Sequence, residues 1–336
     1  MNMKSNDLTA QSQERRNQTP AVSIIMPAYR AAGYIADALA SVLAQTFTDY
    51  EIIVVNDGSP DTDELERALE PYRDRIVYIK QENRGVSAAR NAAIRVARAP
   101  LIAQLDPDDL WEPEYLAVQT DVMRRDPSID VVYPNALVFG DMPEAGREFM
   151  EVAPSEGEVT LESLVMQQCT VMTCVTARRD AVIRAGMYDE SLNCSEDLDL
   201  WLRIVKQGGR IDYHRRVLVR YRRHRGSLSS DPLWVCENSL RVLDKVERIM
   251  ALSDEERKAV ERARLRFQAV HSFYKGKRAF CDGDTKTAIE CLKQANSFFK
   301  SRKTALVLIL LRLAPQVLLR TYELRDRLIL KTSTRV

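Results

Sequence analysis

The sequence has 336 residues, of which 45% are hydrophobic and 29% are charged, and its formal net charge is +1. This length allows one large globular domain with an appended module, and the small net charge gives no general reason to expect nucleic-acid binding. The six cysteines include no CxxC pair, which favours free thiols in a reducing cytosol and a cytoplasmic location. Residues 1–20 are polar and lack the apolar segment of a secretory signal, so we expect a disordered tail.

Strand and helix patterns alternate from residue 21 to residue 105. Short apolar runs predict strands, and apolar residues at helical spacing predict helices between them. The strand segments are 21–27, 50–59, 75–80 and 101–105, and the helical segments are 33–45, 61–69 and 85–98. We expect Ser87 to be the N-cap of the last of these helices. The alternation predicts an α/β fold with a mainly parallel, Rossmann-like sheet flanked by helices.

Three acidic residues follow the strand predicted at 101–105. Pro107 stands among Asp106, Asp108 and Asp109, and it should end the strand because proline has no backbone N–H to donate. The carboxylates would repel one another unless a cation neutralised them, and oxygen ligands suit Mg2+ or Mn2+ bound to a phosphate. The alternative is an acidic turn that caps the next helix. Ligands of parallel sheets bind at the carboxyl ends of the strands, so this turn is a candidate site.

The chain reads VSIIMPAYRAAGYIADALASVLAQTFTDYEIIVVNDGSPD from residue 22, then ENRGVSAARNAAI from residue 82 and LIAQLDPDDLW from residue 101. Together these stretches resemble the nucleotide-sugar domain of family 2 glycosyltransferases of the GT-A fold. The resemblance extends over roughly residues 21–225. It implies an inverting transferase that uses a nucleoside diphosphate sugar, with UDP as the family-level choice, and a divalent ion, Mn2+ or Mg2+.

The resemblance also implies roles for residues at the ends of the predicted strands. The residues implied to line the nucleotide-sugar site are Pro27, Tyr29, Asp57, Asp106 and Asp108, with Asp109 beside them as a further metal ligand. Which carboxylate meets the metal and which meets the ribose is left open. Taken alone, Asp57 would be a turn former and Tyr29 a packing residue. Arg84 and Arg90 are candidates for contact with the base or phosphates at a helix N-terminus, although Arg90 is equally consistent with a solvated side chain.

An acidic pair begins a helix predicted at residues 195–208. Glu196 and Asp197 suit the positive end of a helix dipole, and apolar residues at helical spacing follow them. The pair is therefore consistent with the acidic start of a packed helix and nothing more. By the resemblance, it is the site of the general base that takes the proton of the acceptor hydroxyl. We choose Asp197 for this role and Glu196 as the second choice.

Residues 210–225 contain seven arginines and two of the three histidines. Their alternation predicts a strand with basic residues on one face. Because the run follows the acidic pair, two interpretations stay open. The basic residues could contact a diphosphate or close over the donor, or they could form a solvated charged face. His224 is a candidate metal ligand or phosphate contact. The run matches no known nucleic-acid module, so we expect no nucleic-acid partner.

The sequence predicts an all-helical extension over residues 231–336. Residues 273–295 resemble one helix–turn–helix unit of the tetratricopeptide kind, with Gly283 at the turn. Residues 304–319 are strongly apolar, but their uncharged run is shorter than the ~20 residues that span a membrane. Six basic and two acidic residues lie from residue 312 onward. We expect residues 304–336 to contact the inner, cytoplasmic leaflet; the alternatives are burial against the preceding helices or a homo-oligomer interface.

The sequence therefore predicts a catalytic domain at residues 21–230 that glycosylates an acceptor hydroxyl. A lipid-linked saccharide of surface polysaccharide or lipopolysaccharide assembly is the expected acceptor. Two other classes stay open. A sugar nucleotidyltransferase would need a basic phosphate loop after the first strand, where PAYRAAG has no lysine. A non-catalytic nucleotide-sugar-binding scaffold would have a decayed site, whereas Asp57, Asp106, Asp108 and Asp197 are all present.

Overall fold

The computed structural model describes residues 19–224, 226–227, 230–318 and 320. The expected N-terminal tail, up to residue 18, and the basic segment from residue 321 therefore lie outside the described residues. The chain divides into two compact units. The first comprises the residues up to 139 with 146–159 and 169–222, and the second comprises 140–145, 160–168 and the residues from 223 onward.

One mixed sheet organises the first unit. The strands found in the described residues are β1 (Val22–Ala28), β2 (Tyr50–Asp57), β3 (Ile76–Gln81), β4 (Leu101–Gln104), β5 (Leu110–Trp111), β6 (Ile129–Gly140), β7 (Thr176–Arg178) and β8 (Arg210–Arg223). Their order across the sheet is β3-β2-β1-β4-β7-β6-β8-β5. β1 pairs in parallel with β2 and β4, and β2 pairs in parallel with β3. The carboxyl ends of these four strands therefore lie along one edge of the sheet.

The four parallel strands correspond to the apolar runs from which strands were predicted. All of β1, the last six residues of β2 and the last three of β4 are buried. Parallel strands are apolar along their whole length because helices cover both faces and neither face meets water. β3 is an edge strand and is only partly buried. The predicted α/β class is confirmed, and the four parallel strands are part of a mixed sheet of eight strands in the described residues.

The other half of the sheet is antiparallel. β7 pairs with β4 and β6, and β5 pairs with β8. β7 is short, and the residues before it, 169–175, are irregular in backbone even though Val171, Met172 and Cys174 are buried. An apolar run indicates burial, but strand pairing also needs a free neighbouring edge.

Helices flank the sheet and build the second unit. In the described residues they are α1 (Ile35–Leu43), α2 (Thr62–Leu69), a 3-10 turn (Glu70–Arg75), α3 (Val86–Val96), α4 (Tyr115–Arg125), α5 (Phe149–Val152), α6 (Leu161–Val165), α7 (Arg179–Arg184), α8 (Glu196–Lys206), α9 (Pro232–Ile249), α10 (Asp254–Cys281), α11 (Thr285–Phe299) and α12 (Arg302–Leu313). The prediction that Ser87 is the N-cap of α3 is wrong. Gly85, with φ of 89°, occupies that position, and the Ser87 hydroxyl donates instead to the carbonyl of Leu192.

The described residues from 231 onward form helices, as predicted. α10 and α11 form the expected helix–turn–helix, with Gly283 (φ 82°) in the turn between them. The two helices approach closely at Gly276, where a Cβ atom would stand 2.9 Å from the Leu292 side chain. Ser253 and Glu256 form a capping box that satisfies backbone donors at the start of α10.

α12 has one buried face and one exposed face. Leu311 packs in a cluster with Phe280, Ala288 and Leu292. The opposite face carries the exposed apolar side chains Leu306, Ile309, Leu310 and Leu313. Among the residues described, none of the helices combines the length and the apolar character needed to cross a membrane.

Candidate active site

Asp57 anchors the loop that connects β3 to α3. Its carboxylate lies at the end of β2, is 3% exposed, and accepts hydrogen bonds from Gln81 Nε2 (2.7 Å), the Arg84 backbone N–H (3.0 Å) and the Gly85 backbone N–H (2.8 Å). Two of these donors use Oδ1 and one uses Oδ2. Since each carboxylate oxygen can accept two bonds, Oδ2 retains one acceptor position with respect to the described residues.

The turn after β2 requires a glycine. Gly58 has φ of 61°, and a Cβ atom there would stand 2.5 Å from the backbone nitrogen of Asn83. This close approach brings the β2 turn against the loop that Asp57 anchors. Next to it, the Ser59 hydroxyl accepts from the Arg30 backbone N–H at 2.6 Å, which ties the ends of β1 and β2 together.

Pro27 and Tyr29 lie at the end of β1 in different environments. Pro27 is buried in the strand, whereas Tyr29 is 45% exposed, with the Arg30 guanidinium 5.5 Å from its ring centre. Ala28 pairs with Asn56 across the strands, so Tyr29 follows the same edge of the sheet as Asp57. An exposed ring at this edge is available for stacking on a planar ligand.

Asp109 faces into the protein rather than outward from the acidic turn. It is 1% exposed, its Oδ1 accepts from the Arg222 backbone N–H at 2.7 Å, and its Oδ2 lies 3.6 Å from Cys174 Sγ. Burial, followed by the charges of Asp108 and Asp106, raises the pKa of Asp109 well above its usual value. Asp109 is therefore oriented differently from Asp106 and Asp108. Its hydrogen bond to the Arg222 backbone attaches the acidic turn to β8.

Arg222 completes this support. Its Nε donates to the Asp108 carbonyl at 2.8 Å, and its guanidinium lies 4.4 Å from the ring centre of Phe139 and 5.0 Å from that of Tyr34. The sequence indicated a basic run at residues 210–225 but did not indicate that Arg222 contacts the acidic turn. The alternation along β8 was the available signal, since it places Arg222, Arg220 and the other even-numbered residues on one face.

Arg90 joins the acidic turn to the acidic pair of α8. Its guanidinium is buried, with Nη2 at 3.0 Å from Asp106 Oδ1 and Nη1 at 2.6 Å from Glu196 Oε1. It also lies 5.4 Å from the ring centre of Tyr188. Burial alone would lower the pKa of Arg90, but Asp106 and Glu196 outweigh it and the net shift is upward. All three charged residues were candidates from the sequence, but the ion pairs between them could not be predicted from it.

Asp197 has the protonation behaviour of a base that works near neutral pH. It keeps some exposure, and its Oδ1 accepts from the Leu198 backbone N–H at 2.7 Å. Burial, and then the Glu196 carboxylate, raise the pKa of Asp197 to about 7, against the lowering effects of the Leu198 hydrogen bond and of Arg90. A carboxyl with this pKa can both accept and release a proton at physiological pH.

The side chains of two further candidates make other contacts. The Arg84 side chain is largely exposed and forms an ion pair with Glu190 at 2.7 Å. His224 belongs to the second unit, where its Nδ1 accepts from the Gly226 backbone N–H at 3.1 Å. Their roles toward a donor or a metal stay predictions.

The acidic turn fits a divalent ion that also binds a diphosphate. In the described part of the chain, no group of three or more His, Cys, Asp and Glu side chains is close enough to enclose a metal. Mg2+ sites commonly use one or two carboxylates and take the remaining ligands from water and substrate phosphates. Asp106 and Asp108 are both partly exposed and supply oxygen donors, so they meet this requirement.

Sequence comparison relates part of the chain to a known family. Residues 23–176 match the family model described as Glycosyl transferase family 2. An uncharacterized glycosyltransferase of Rickettsia conorii is 30% identical over 208 residues, which are 60% of this chain and 34% of the relative, so the chain spans about a third of that protein. TuaG of Bacillus subtilis, a putative teichuronic acid biosynthesis glycosyltransferase, is 28% identical over 236 residues, 69% of this chain and 91% of TuaG.

Solved structures share the fold. Staphylococcus aureus TarS 1–349 in complex with UDP-GlcNAc aligns with a TM-score of 0.60 at 19% identity, over 91% of each chain. The mannosyltransferase PcManGT from Pyrobaculum calidifontis, in complex with GDP-Man and Mn2+, aligns with a TM-score of 0.61 at 17% identity, over 97% of this chain and 92% of its own. The chain thus has a GT-A-like fold and carries, over residues 23–176, a domain that matches glycosyltransferase family 2.

Proposed function

We propose that the protein is an inverting glycosyltransferase that moves a sugar from a nucleoside diphosphate to an acceptor hydroxyl. The observation that carries the proposal is the buried pairing of Arg90 with Asp106, at the candidate donor site, and with Glu196, beside the candidate base. Asp197 follows Glu196 directly and has a pKa of about 7. A donor site and a base are the two parts that an inverting transfer needs.

The nucleotide is assigned to the ends of β1 and β2. The free acceptor position on Asp57 suits an N–H of the base, and the exposed Tyr29 ring suits stacking on it. Pro27 would shape the floor of this site, and Arg84 would approach from the β3–α3 loop. UDP is our first choice, and it is supported by the UDP-GlcNAc bound to TarS; GDP, bound to PcManGT as GDP-Man, is the competitor.

Asp106 and Asp108 are the carboxylates that we assign to Mn2+ or Mg2+, with Asp109 and His224 as the other candidates. When bound, the ion would stabilise the negative charge that develops on the departing diphosphate. The Mn2+ in PcManGT supports this choice of cofactor. The inward orientation of Asp109 favours Asp106 and Asp108 over it.

Asp197 is assigned to the acceptor side of the reaction. Its carboxylate would take the proton of the acceptor hydroxyl while that oxygen forms a bond to the anomeric carbon. The bond from the anomeric carbon to the diphosphate oxygen breaks on the opposite face, so the configuration inverts. The proton ends on Asp197 and the electron pair on the nucleoside diphosphate. Loss of the proton to solvent restores the base.

A lipid-linked saccharide of surface polysaccharide or lipopolysaccharide assembly is our proposed acceptor. The name of TuaG, which refers to teichuronic acid biosynthesis, supports an envelope polysaccharide. The outer face of α12 is apolar and the exposed Arg302, Lys303 and Arg312 accompany it. This combination suits a helix lying on the anionic inner leaflet of the membrane, where such an acceptor would be reached from the cytoplasm.

Calorimetric titration with UDP, GDP and dTDP, with and without Mn2+, tests the donor site. We expect one nucleotide to bind in a Mn2+-dependent manner and the binding to be lost in Asp108→Ala. Asp121→Ala is the matched control, because Asp121 is partly exposed and the partners described for it are arginines of its own helix. An assay for hydrolysis of the corresponding nucleotide sugar distinguishes an enzyme, which hydrolyses it, from a non-catalytic scaffold, which only binds it. Absence of nucleotide binding under every condition would refute the assignment.

A further inference from the structure

The ion pairs of Arg90 connect three parts of the chain that are distant in sequence. Arg90 lies in α3, Asp106 in the turn after β4, and Glu196 at the first residue of α8; the partners are 16 and 106 residues away from Arg90. The Arg90 side chain is 3% exposed and that of Glu196 is 9% exposed. Burying these charges is unfavourable unless they are paired with good geometry, so the two short contacts are needed for this arrangement to persist.

The orientation of the guanidinium is fixed by the two carboxylates. One Nη atom faces each acid, and Tyr188 lies against the guanidinium at 5.4 Å. Within the described residues, Arg90 Nε is buried and has no hydrogen-bond partner. The guanidinium thus pairs with both acids through its Nη atoms, while Nε makes no hydrogen bond within the described residues. A planar fork can bridge two acceptors in this way, whereas the ammonium of lysine is a point charge on a flexible stem.

We propose that Arg90 is a positioning residue, which holds the acidic turn of the donor site and the start of α8 at a fixed separation. The inference rests on the proposed function. In that function the diphosphate is bound beside Asp106 and the base, Asp197, follows Glu196, so the distance between these two acids sets the distance between donor and base. Arg90 acts through these acids and need not touch the substrate itself. Displacement of a reacting group by ~1 Å can lower a rate about 100-fold.

Arg90→Lys is the first test variant. It keeps the positive charge but can pair well with only one of the two acids. We expect kcat for nucleotide-sugar hydrolysis to fall at least ~10-fold while the dissociation constant of the nucleotide changes less than ~3-fold. A kcat within ~3-fold of the wild type, or an equal loss of nucleotide affinity, would overturn the proposal.

Arg203→Lys is the matched control. Arg203 lies in α8, the helix that begins at Glu196, is also largely buried, and pairs with Asp199; the contacts described for it do not include Asp106 or Glu196. A general requirement for a buried, acid-paired arginine in this part of the fold would lower kcat in both variants. We expect only Arg90→Lys to lower it, and an equal fall in the control would count against a positioning role.

Amide hydrogen exchange tests the same inference without any substrate. The Asp109 amide donates to the Asp106 carbonyl, and the Asp199 amide donates to the Ser195 carbonyl, so each reports on one end of the connection. In Arg90→Lys both amides should exchange at least ~10-fold faster, and in Arg203→Lys the Asp109 amide should be unaffected. If only one end responds, or neither does, Arg90 does not couple them.

Glu196→Gln covers the case in which Arg90→Lys fails to fold. It removes the charge of one acid while Arg90 keeps Asp106, so the exchange of the Asp199 amide should rise and that of the Asp109 amide should not. Exchange that rises equally at both amides would overturn the proposal. If the wild type neither binds nor hydrolyses any nucleotide sugar, the proposed function fails, and the exchange measurements still decide the role of Arg90.

Discussion

Asp197→Asn should make the protein more stable at alkaline pH while it removes the proposed base. In the folded protein, burial and the neighbouring Glu196 raise the pKa of Asp197 from 3.8 to about 7. The folded state therefore binds the proton more tightly than the unfolded chain does. The stability that comes with this proton is fully present below pH 3.8 and is lost as the pH rises through about 7.

The magnitude follows from the size of the shift. Each pKa unit corresponds to about 1.4 kcal/mol, so ionising Asp197 in the folded protein costs about 4 kcal/mol relative to the unfolded chain. Asparagine keeps an acceptor for the Leu198 N–H and carries no charge. We expect Asp197→Asn to exceed the wild type in free energy of unfolding by less than ~1 kcal/mol at pH 4 and by about 4 kcal/mol at pH 8.

Urea denaturation followed by tryptophan fluorescence measures this difference, because Trp111 and Trp201 are buried in the same unit. The assay is repeated from pH 4 to pH 8 for both proteins. A difference that does not grow with pH, or an asparagine variant less stable at pH 8, would refute the reasoning. In the same variant, loss of a general base should lower kcat by about 100-fold to 10,000-fold, and wild-type activity should rise with pH through about 7.

Two other perturbations test the turn after β2 and the exposed face of α12. Gly58→Ala should destabilise the protein by at least ~1 kcal/mol more than Gly157→Ala. Both glycines have positive φ, but only a Cβ at Gly58 would stand against the Asn83 backbone. Equal losses of unfolding free energy in urea denaturation would contradict this. Replacing Ile309 and Leu313 together by serine should weaken sedimentation with anionic vesicles at least ~10-fold, and unchanged vesicle binding, or a change only in self-association, would remove the membrane proposal.

The sequence by itself determined the parallel half of the sheet. The apolar runs of β1, β2 and β4 specify strands buried on both faces, and this requirement is local because each strand needs only its own residues to be apolar. The same locality placed Asp57 and the acidic turn at strand ends. It also located the helix–turn–helix of α10 and α11, where Gly283 provides the positive φ that the turn needs.

Only the tertiary structure decided how the charged residues of the candidate site are paired. Asp109 turns inward to Arg222, which is 113 residues away, and Arg90 reaches Glu196, which is 106 residues away. Whether a carboxylate faces solvent or an arginine depends on which strands and helices the fold brings together, and no local pattern contains that information. For the same reason, the run of arginines before His224 could be recognised as basic, but the support that Arg222 gives to the acidic turn could not be predicted. The pKa of Asp197 follows from burial and from its charged neighbours, and both exist only in the folded chain.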